Sequence, residues 1–210
     1  MANCFGEVVD NFKLNEMLRY VGKPKTREDR AREAVSLMNE DSKNIKASKY
    51  VEGVKDWYGD GVSTLCILYN ATGDTLYYVG EHDWFGFIGR TPYPAEIGNG
   101  QYAAFLHTHN TGAASGSEGA VVYRGKNRDG QDRDYLVAWS TPFGPWYSNK
   151  AYCEIGGVNY FDDRWGHVSG KMENGGYSCN AKSDGCEIQA TTATGGSPMF
   201  HAIIKTPFAP

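Results

Sequence analysis

From Val62 to Lys205 the chain is a succession of short apolar runs broken by Gly, Asn, Asp and Pro, and no other property of the sequence narrows the fold as far. The runs are VSTLCILY, TLYYVG after the turn Asn70-Ala-Thr-Gly-Asp74, FGFIG, GQYAAFLHTH, AYCEI, CEIQATTAT, and MFHAIIK after Gly195-Gly-Ser-Pro198. Two more, Ala120–Tyr123 and Tyr135–Trp139, flank a polar stretch of Gly, Asn and Asp that predicts a β-hairpin with a long, solvated connection. Strands separated by turn residues, without helical periodicity between them, predict an antiparallel sandwich or barrel. No repeat at a fixed period is visible. The Gly- and Asn-rich stretch 156–184 reads as a long loop with room for one short helix.

Residues 1–56 follow a different grammar. They hold 11 of the 21 basic and 10 of the 25 acidic residues but only three of the 26 glycines, which favours helix. A first helix is expected over Val8–Val21, with Leu14, Met17, Leu18 and Val21 on one face and Gly22 and Pro24 ending it. A second is expected from Thr26, whose hydroxyl can cap the first turn while Glu28 and Asp29 suit the positive end of the helix dipole. Its apolar face is Ala31, Ala34, Val35, Met38 and Ile45. The mixed charge argues for helices that cover one face or end of the β-structure rather than a membrane-binding arm, which would set Trp, Phe or Leu against Lys and Arg. The expected organisation is a helical extension over 1–56 and a β-sandwich domain over 57–210.

A net charge of −4 gives no electrostatic basis for nucleic-acid binding. No apolar run reaches the roughly 18 residues of a membrane-spanning helix. The opening residues lack the basic start and apolar stretch of a signal peptide, so the expected location is cytoplasmic. Cys4, Cys66, Cys153, Cys179 and Cys186 form no CxxC pair and read as core or idle thiols, with Cys179–Cys186 the conceivable disulfide.

Catalytic constellations are not assembled in the sequence. His107 and His109 alternate on one strand and would need unselected partners, such as His82 or Cys66, to hold zinc. Asp129, Asp132 and Asp134 fall in the hairpin loop, where solvation accounts for them. Asn70-Ala71-Thr72 has the form of a glycosylation sequon but is more simply a turn. TATGGSP lacks the Lys and following helix of a phosphate loop. The expectation is a non-enzymatic protein with no cofactor and no metal. What stands out is Phe143, Trp146 and Tyr147 in the loop after Ser140-Thr-Pro142. Such rings suit stacking on sugars, a lipid headgroup layer or a quaternary ammonium, or else they close one end of the sandwich.

The runs TLCILYNATGDTLYYV, HDWFGFIGRTPYPAEIGNGQ and GAVVYRGKNRDGQDRDYLVAWSTPFGPWYSNKAYC resemble the 23 kDa jasmonate-induced protein family of plants, across most of residues 62–165. That resemblance implies a stress or defence role responsive to jasmonate. More distantly, Pro94-x-x-Ile97-x-x-Gly100, Gly119–Tyr123, Leu136–Pro142, Trp146–Asn149 and His201–Ile204 are similar to the actinoporins and fungal fruit-body lectins. This implies a mainly β fold, an actinoporin-like antiparallel β-sandwich with an N-terminal helical extension. It also implies a phosphocholine-type pocket at Ser140, Pro142 and Tyr147, with Thr108 replacing another pocket serine. Glu118 stands where that pocket has an apolar side chain, and Lys150-Ala151 replaces a tryptophan pair. The expected ligand site is therefore Thr108, Glu118, Ser140, Pro142, Trp146 and Tyr147, taking a lipid headgroup, a glycan or another small polar ligand, with contact at a membrane periphery. The alternatives are a membrane-permeabilising cytolysin and an interaction module without a ligand pocket.

Overall fold

A computed structural model of the chain describes residues 3–144 and 146–207. In chain order its elements are β1 (Cys4–Phe5), α1 (Asn11–Glu16), α2 (Arg27–Ser36), α3 (Lys43–Tyr58), β2 (Ser63–Ala71), β3 (Leu76–Phe85), β4 (Phe87–Ile88), β5 (Glu96–Ile97), β6 (Tyr102–Thr108), β7 (Ser117–Lys126), β8 (Asp132–Thr141), β9 (Lys150–Gly156), α4 (Trp165–Glu173), β10 (Ser178–Ser183), β11 (Cys186–Thr192) and β12 (Met199–Lys205). One sheet has the order β1-β6-β2-β12-β11-β10, with β4 also on β6, and the other β5-β3-β7-β8-β9. The two face each other as the expected sandwich. The last strand inserts between β2 and β11 and runs parallel to β2, from Met199 opposite Leu65 to Lys205 opposite Ala71.

Three apolar layers explain the sequence pattern. Leu68, Phe105, Val137, Trp139, Ile188 and Phe200 fill the space between the sheets. On the outer side of the first sheet, Leu65, Ile67, Tyr69, Tyr102, Ala104 and Leu106 pack against Val9, Leu14, Ala34, Ala47 and Val51 of the N-terminal segment. A strand buried on both faces reads as an unbroken apolar run, and this is why VSTLCILY does not alternate. On the far side of the second sheet, Ala120, Val122, Leu136 and Ala138 meet Phe161, Val168 and Met172 around α4.

The N-terminal helices are also tied by hydrogen bonds. The Tyr69 hydroxyl donates to the Ala34 carbonyl at 2.5 Å, buried Lys43 donates to the Gly100 carbonyl at 2.9 Å, and the Asn99 amide donates to Val9 and Arg30 carbonyls at 2.7 and 3.0 Å. Thr26 caps α2 in a reciprocal box with Asp29, as its sequence predicts. The first helix is shorter than expected: α1 gives way to a 3-10 turn at Leu18–Tyr20, and Leu18 (93 % exposed) and Val21 point to solvent. Ile45 is likewise exposed, at the start of α3 rather than on α2.

The hairpin connection is shorter than its composition predicts. Arg124 lies directly opposite Asp134, and Lys126 opposite Asp132, so ion pairs carry β7 and β8 three residues further than the apolar runs. Asp134 is not a solvated loop residue. It is buried, receives both Arg124 bonds at 2.7 and 3.0 Å, and accepts the Asn159 N–H at 2.7 Å. Asn70 is fully buried near the end of β2, where its side-chain amide oxygen accepts the Thr72 N–H at 3.0 Å and so supports the turn that follows. Gly73 in that turn has φ +92°, and a Cβ there would collide with the Arg27 carbonyl. Within 156–184 the expected short helix is α4, but Ser178–Ser183 forms a strand rather than loop.

Candidate binding cleft

At one end of the second sheet the register places Phe85 opposite Glu118, Glu118 opposite Ser140, and Ser140 opposite Lys150. Four strands thus lay one row of side chains on a single face, the face that α4 covers further along. Beyond α4 the row is left open. The C-terminal residue of α4, Glu173, closes one side and the loop after Pro142 rises over the other, enclosing a cleft of about 660 Å³.

The Ser140 hydroxyl donates to the Glu118 carboxylate at 2.8 Å. Burial pushes the Glu118 carboxyl above the ordinary carboxylate range, the Ser140 bond opposes that shift, and the nearby Glu173 carboxylate adds to it. Lys150 also lines the cleft, but its ammonium is held by the Gly175 carbonyl at 2.8 Å. Phe143, Trp146 (88 % exposed) and Tyr147 (69 % exposed) stand out of the loop rather than plugging the sandwich end. The loop base is anchored where the Asn149 amide donates to the Ala193 and Gly195 carbonyls at 2.7 and 2.9 Å. A carboxylate pair beside exposed aromatic faces is chemically suited to a cation, through ion pairing and attraction to the rings.

Five of the six expected site residues, Glu118, Ser140, Pro142, Trp146 and Tyr147, line this cleft. Thr108 does not. It ends β6 in the other sheet, opposite Ser63 and Phe87, fully buried, with its hydroxyl turned to the Phe87 carbonyl at 3.4 Å. Phe85 and Glu173 join the site without having been singled out. Phe85 ends β3 just after an irregularity between Asp83 and Phe85 that breaks the two-residue period, and Glu173 lies in the stretch with no readable pattern.

The histidines serve separate neighbours. His107 is buried with both ring nitrogens engaged, by the Ser117 hydroxyl at 2.8 Å and the Asp83 carboxylate at 2.9 Å. His109 contacts the Tyr58 hydroxyl and the Val62 carbonyl at 3.3 and 3.2 Å. Ser117 is fully buried and donates to the His107 carbonyl at 3.1 Å, so the Ser117–His107–Asp83 chain knits strands together. Among the described residues no cluster of His, Cys, Asp or Glu has the makings of a metal site, and no helix is long and apolar enough to cross a membrane. Cys179 and Cys186 are not partners: Cys186 meets the Tyr135 hydroxyl at 2.9 Å, and Cys179 meets Cys153.

A helix-covered, two-sheet β protein with a solvent-open, loop-lined cleft is the class these elements define. Residues 5–207 match the Nakanori-like protein family, and the chain belongs to it. It is 35% identical over 189 residues to the 23 kDa jasmonate-induced protein of Hordeum vulgare, covering 88% of this chain and 89% of that protein. It is 31% identical over 121 residues to the jasmonate-induced protein homolog of Atriplex canescens, covering 56% and 64%. The resemblance carried by residues 62–165 therefore extends over most of the chain. The crystal structure of the lipid binding protein Nakanori superposes with a TM-score of 0.86 at 24% identity, covering 96% of this chain and 99% of that one, a likeness of fold.

Proposed function

We propose that the protein is a non-enzymatic, peripheral lipid binder that takes the ammonium-bearing headgroup of a membrane lipid into the cleft. The observation that carries this reading is the half-buried Glu118 carboxylate at the floor of a cleft rimmed by exposed Trp146 and Tyr147. Glu118 and Glu173 supply the charge for an ammonium, the rings supply cation–π contact, and exposed Phe143 and Trp146 suit the interfacial layer of a bilayer. Supporting it from outside the chain, the fold neighbour Nakanori is itself described as a lipid binding protein. A role in a jasmonate-linked stress response is the accompanying biological reading.

Co-flotation tests it. The protein is expected to float with phosphatidylcholine vesicles and to bind phosphatidylglycerol vesicles, which lack an ammonium group, less. Glu118→Gln, Trp146→Ala and Tyr147→Ala are each expected to weaken binding about tenfold, as loss of one cation–π or charge contact implies. Equal flotation of wild type and all three variants, or a preference for phosphatidylglycerol, would overturn it. Release of a dye trapped in the same vesicles would instead indicate a permeabilising activity.

A further inference from the structure

The edge strands of the two sheets, β9 and β10, meet at a pair of cysteines. The Ala151 N–H donates to the Gly176 carbonyl at 2.8 Å, and two residues further along β9 the Cys153 N–H donates to the Cys179 sulfur at 3.2 Å. The Cys179 thiol in turn donates to the Cys153 carbonyl at 3.4 Å, so its sulfur sits directly against the Cys153 backbone. Cys153 is buried against the Ile188 carbonyl at 3.6 Å, while Cys179 is half-buried on a strand whose neighbours, Ser178 and Asn180, are exposed. Cys179 packs on the rim of the inter-sheet core and is the less buried of the two.

The other three cysteines lack this arrangement. Cys66 is sealed in the sandwich, Cys186 is engaged by Tyr135, and Cys4 contacts the Glu96 carbonyl at 3.4 Å. All five are free thiols, so the pair stands in its reduced form.

We propose that Cys153 and Cys179 are a reversible thiol–disulfide site, with Cys179 the sulfur that meets the oxidant and Cys153 the one that resolves it. The neighbouring Cys153 side chain, and after it the Cys153 N–H, hold the Cys179 thiol below its ordinary range against the opposing effect of burial, while the same contact and burial push Cys153 up. Thiolate character therefore collects on the less buried sulfur. With hydrogen peroxide as oxidant, the Cys179 thiolate attacks one peroxide oxygen, the O–O bond breaks, and the departing hydroxide takes a proton to leave as water. Cys153 sulfur then attacks the Cys179 sulfenic acid, the S–O bond breaks, and the hydroxide leaves with the Cys153 proton as a second water. Two thiols lose two protons and two electrons, and one peroxide takes them up to become two waters. The product links an edge of one sheet to an edge of the other, across a gap bridged here by the Ala151–Gly176 bond.

The full-length protein, exposed to hydrogen peroxide, alkylated and digested without reduction, tests this. The expected result is a single cross-linked peptide pair joining Cys153 to Cys179, returned to two thiols by dithiothreitol. In Cys153→Ser the sulfenic acid is expected to persist on Cys179 and to be trapped there by dimedone; in Cys179→Ser, Cys153 is expected to stay a thiol. Oxidation of Cys4 while Cys153 and Cys179 remain thiols, or a disulfide to any other cysteine, would overturn the proposal. The wild-type map decides it even if either variant fails to fold.

Discussion

At the residue scale, Glu118 links pH to both stability and binding, in opposite directions. Its carboxyl is raised by burial, so between its unfolded and folded values the folded protein holds a proton that the unfolded chain has released. That contribution is present at low pH and is lost as pH rises through the raised value. Thermal melts between about pH 4 and pH 8 are therefore expected to show a decline in wild type that Glu118→Gln flattens. Headgroup binding needs the carboxylate, so flotation is expected to weaken as pH falls through the same value. Ser140→Ala removes the hydrogen bond that opposes the shift, and is expected to move that weakening to higher pH. The contact between Ser140 and Glu118 was not readable from spacing, because residues 22 apart become neighbours only once β7 and β8 take their register. Thr108 failed for the converse reason. A match to a strand end says nothing of which sheet the strand joins, and β6 lies in the other one.

At the element scale, local chemistry was most legible where it is self-contained. Thr26 and Asp29 cap α2 with no help from the rest of the chain, and Thr26→Ala is expected to cost about 1 kcal/mol in urea unfolding, with the slope unchanged. The apolar strands were readable because burial selects their side chains. Ser178–Ser183 was not, since SCNAKS is polar, mostly exposed, and held as a strand by pairing with β11. The same limit hid the true length of the hairpin: charged residues look like loop until Arg124 and Asp134 are seen face to face. Leu18 and Val21 misled in the other direction, as apolar spacing suggested one continuous helix where Met17 is extended and the chain turns.

At the scale of the whole molecule, the N-terminal helices supply half of an apolar layer. Leu14→Ala, at a fully buried contact in that layer, is expected to cost about 2–5 kcal/mol in denaturant unfolding. Removing residues 1–56 would bare Leu65, Ile67, Tyr69, Tyr102 and Leu106 on one sheet face, and the chain from residue 57 is expected to be recovered as aggregate rather than as a monomer by gel filtration.

The parallel seat of β12 has a bearing on how the protein is made. β2 and β11 are separated by β12, which lies between them in the sheet and follows both in the chain. On the ribosome, the first sheet therefore stays split, with two unpaired edges, until residues 199–205 have emerged. Such edges attract other chains. The β2 edge therefore waits through the synthesis of every strand before β12, and chaperone demand is expected to end only when β12 covers it.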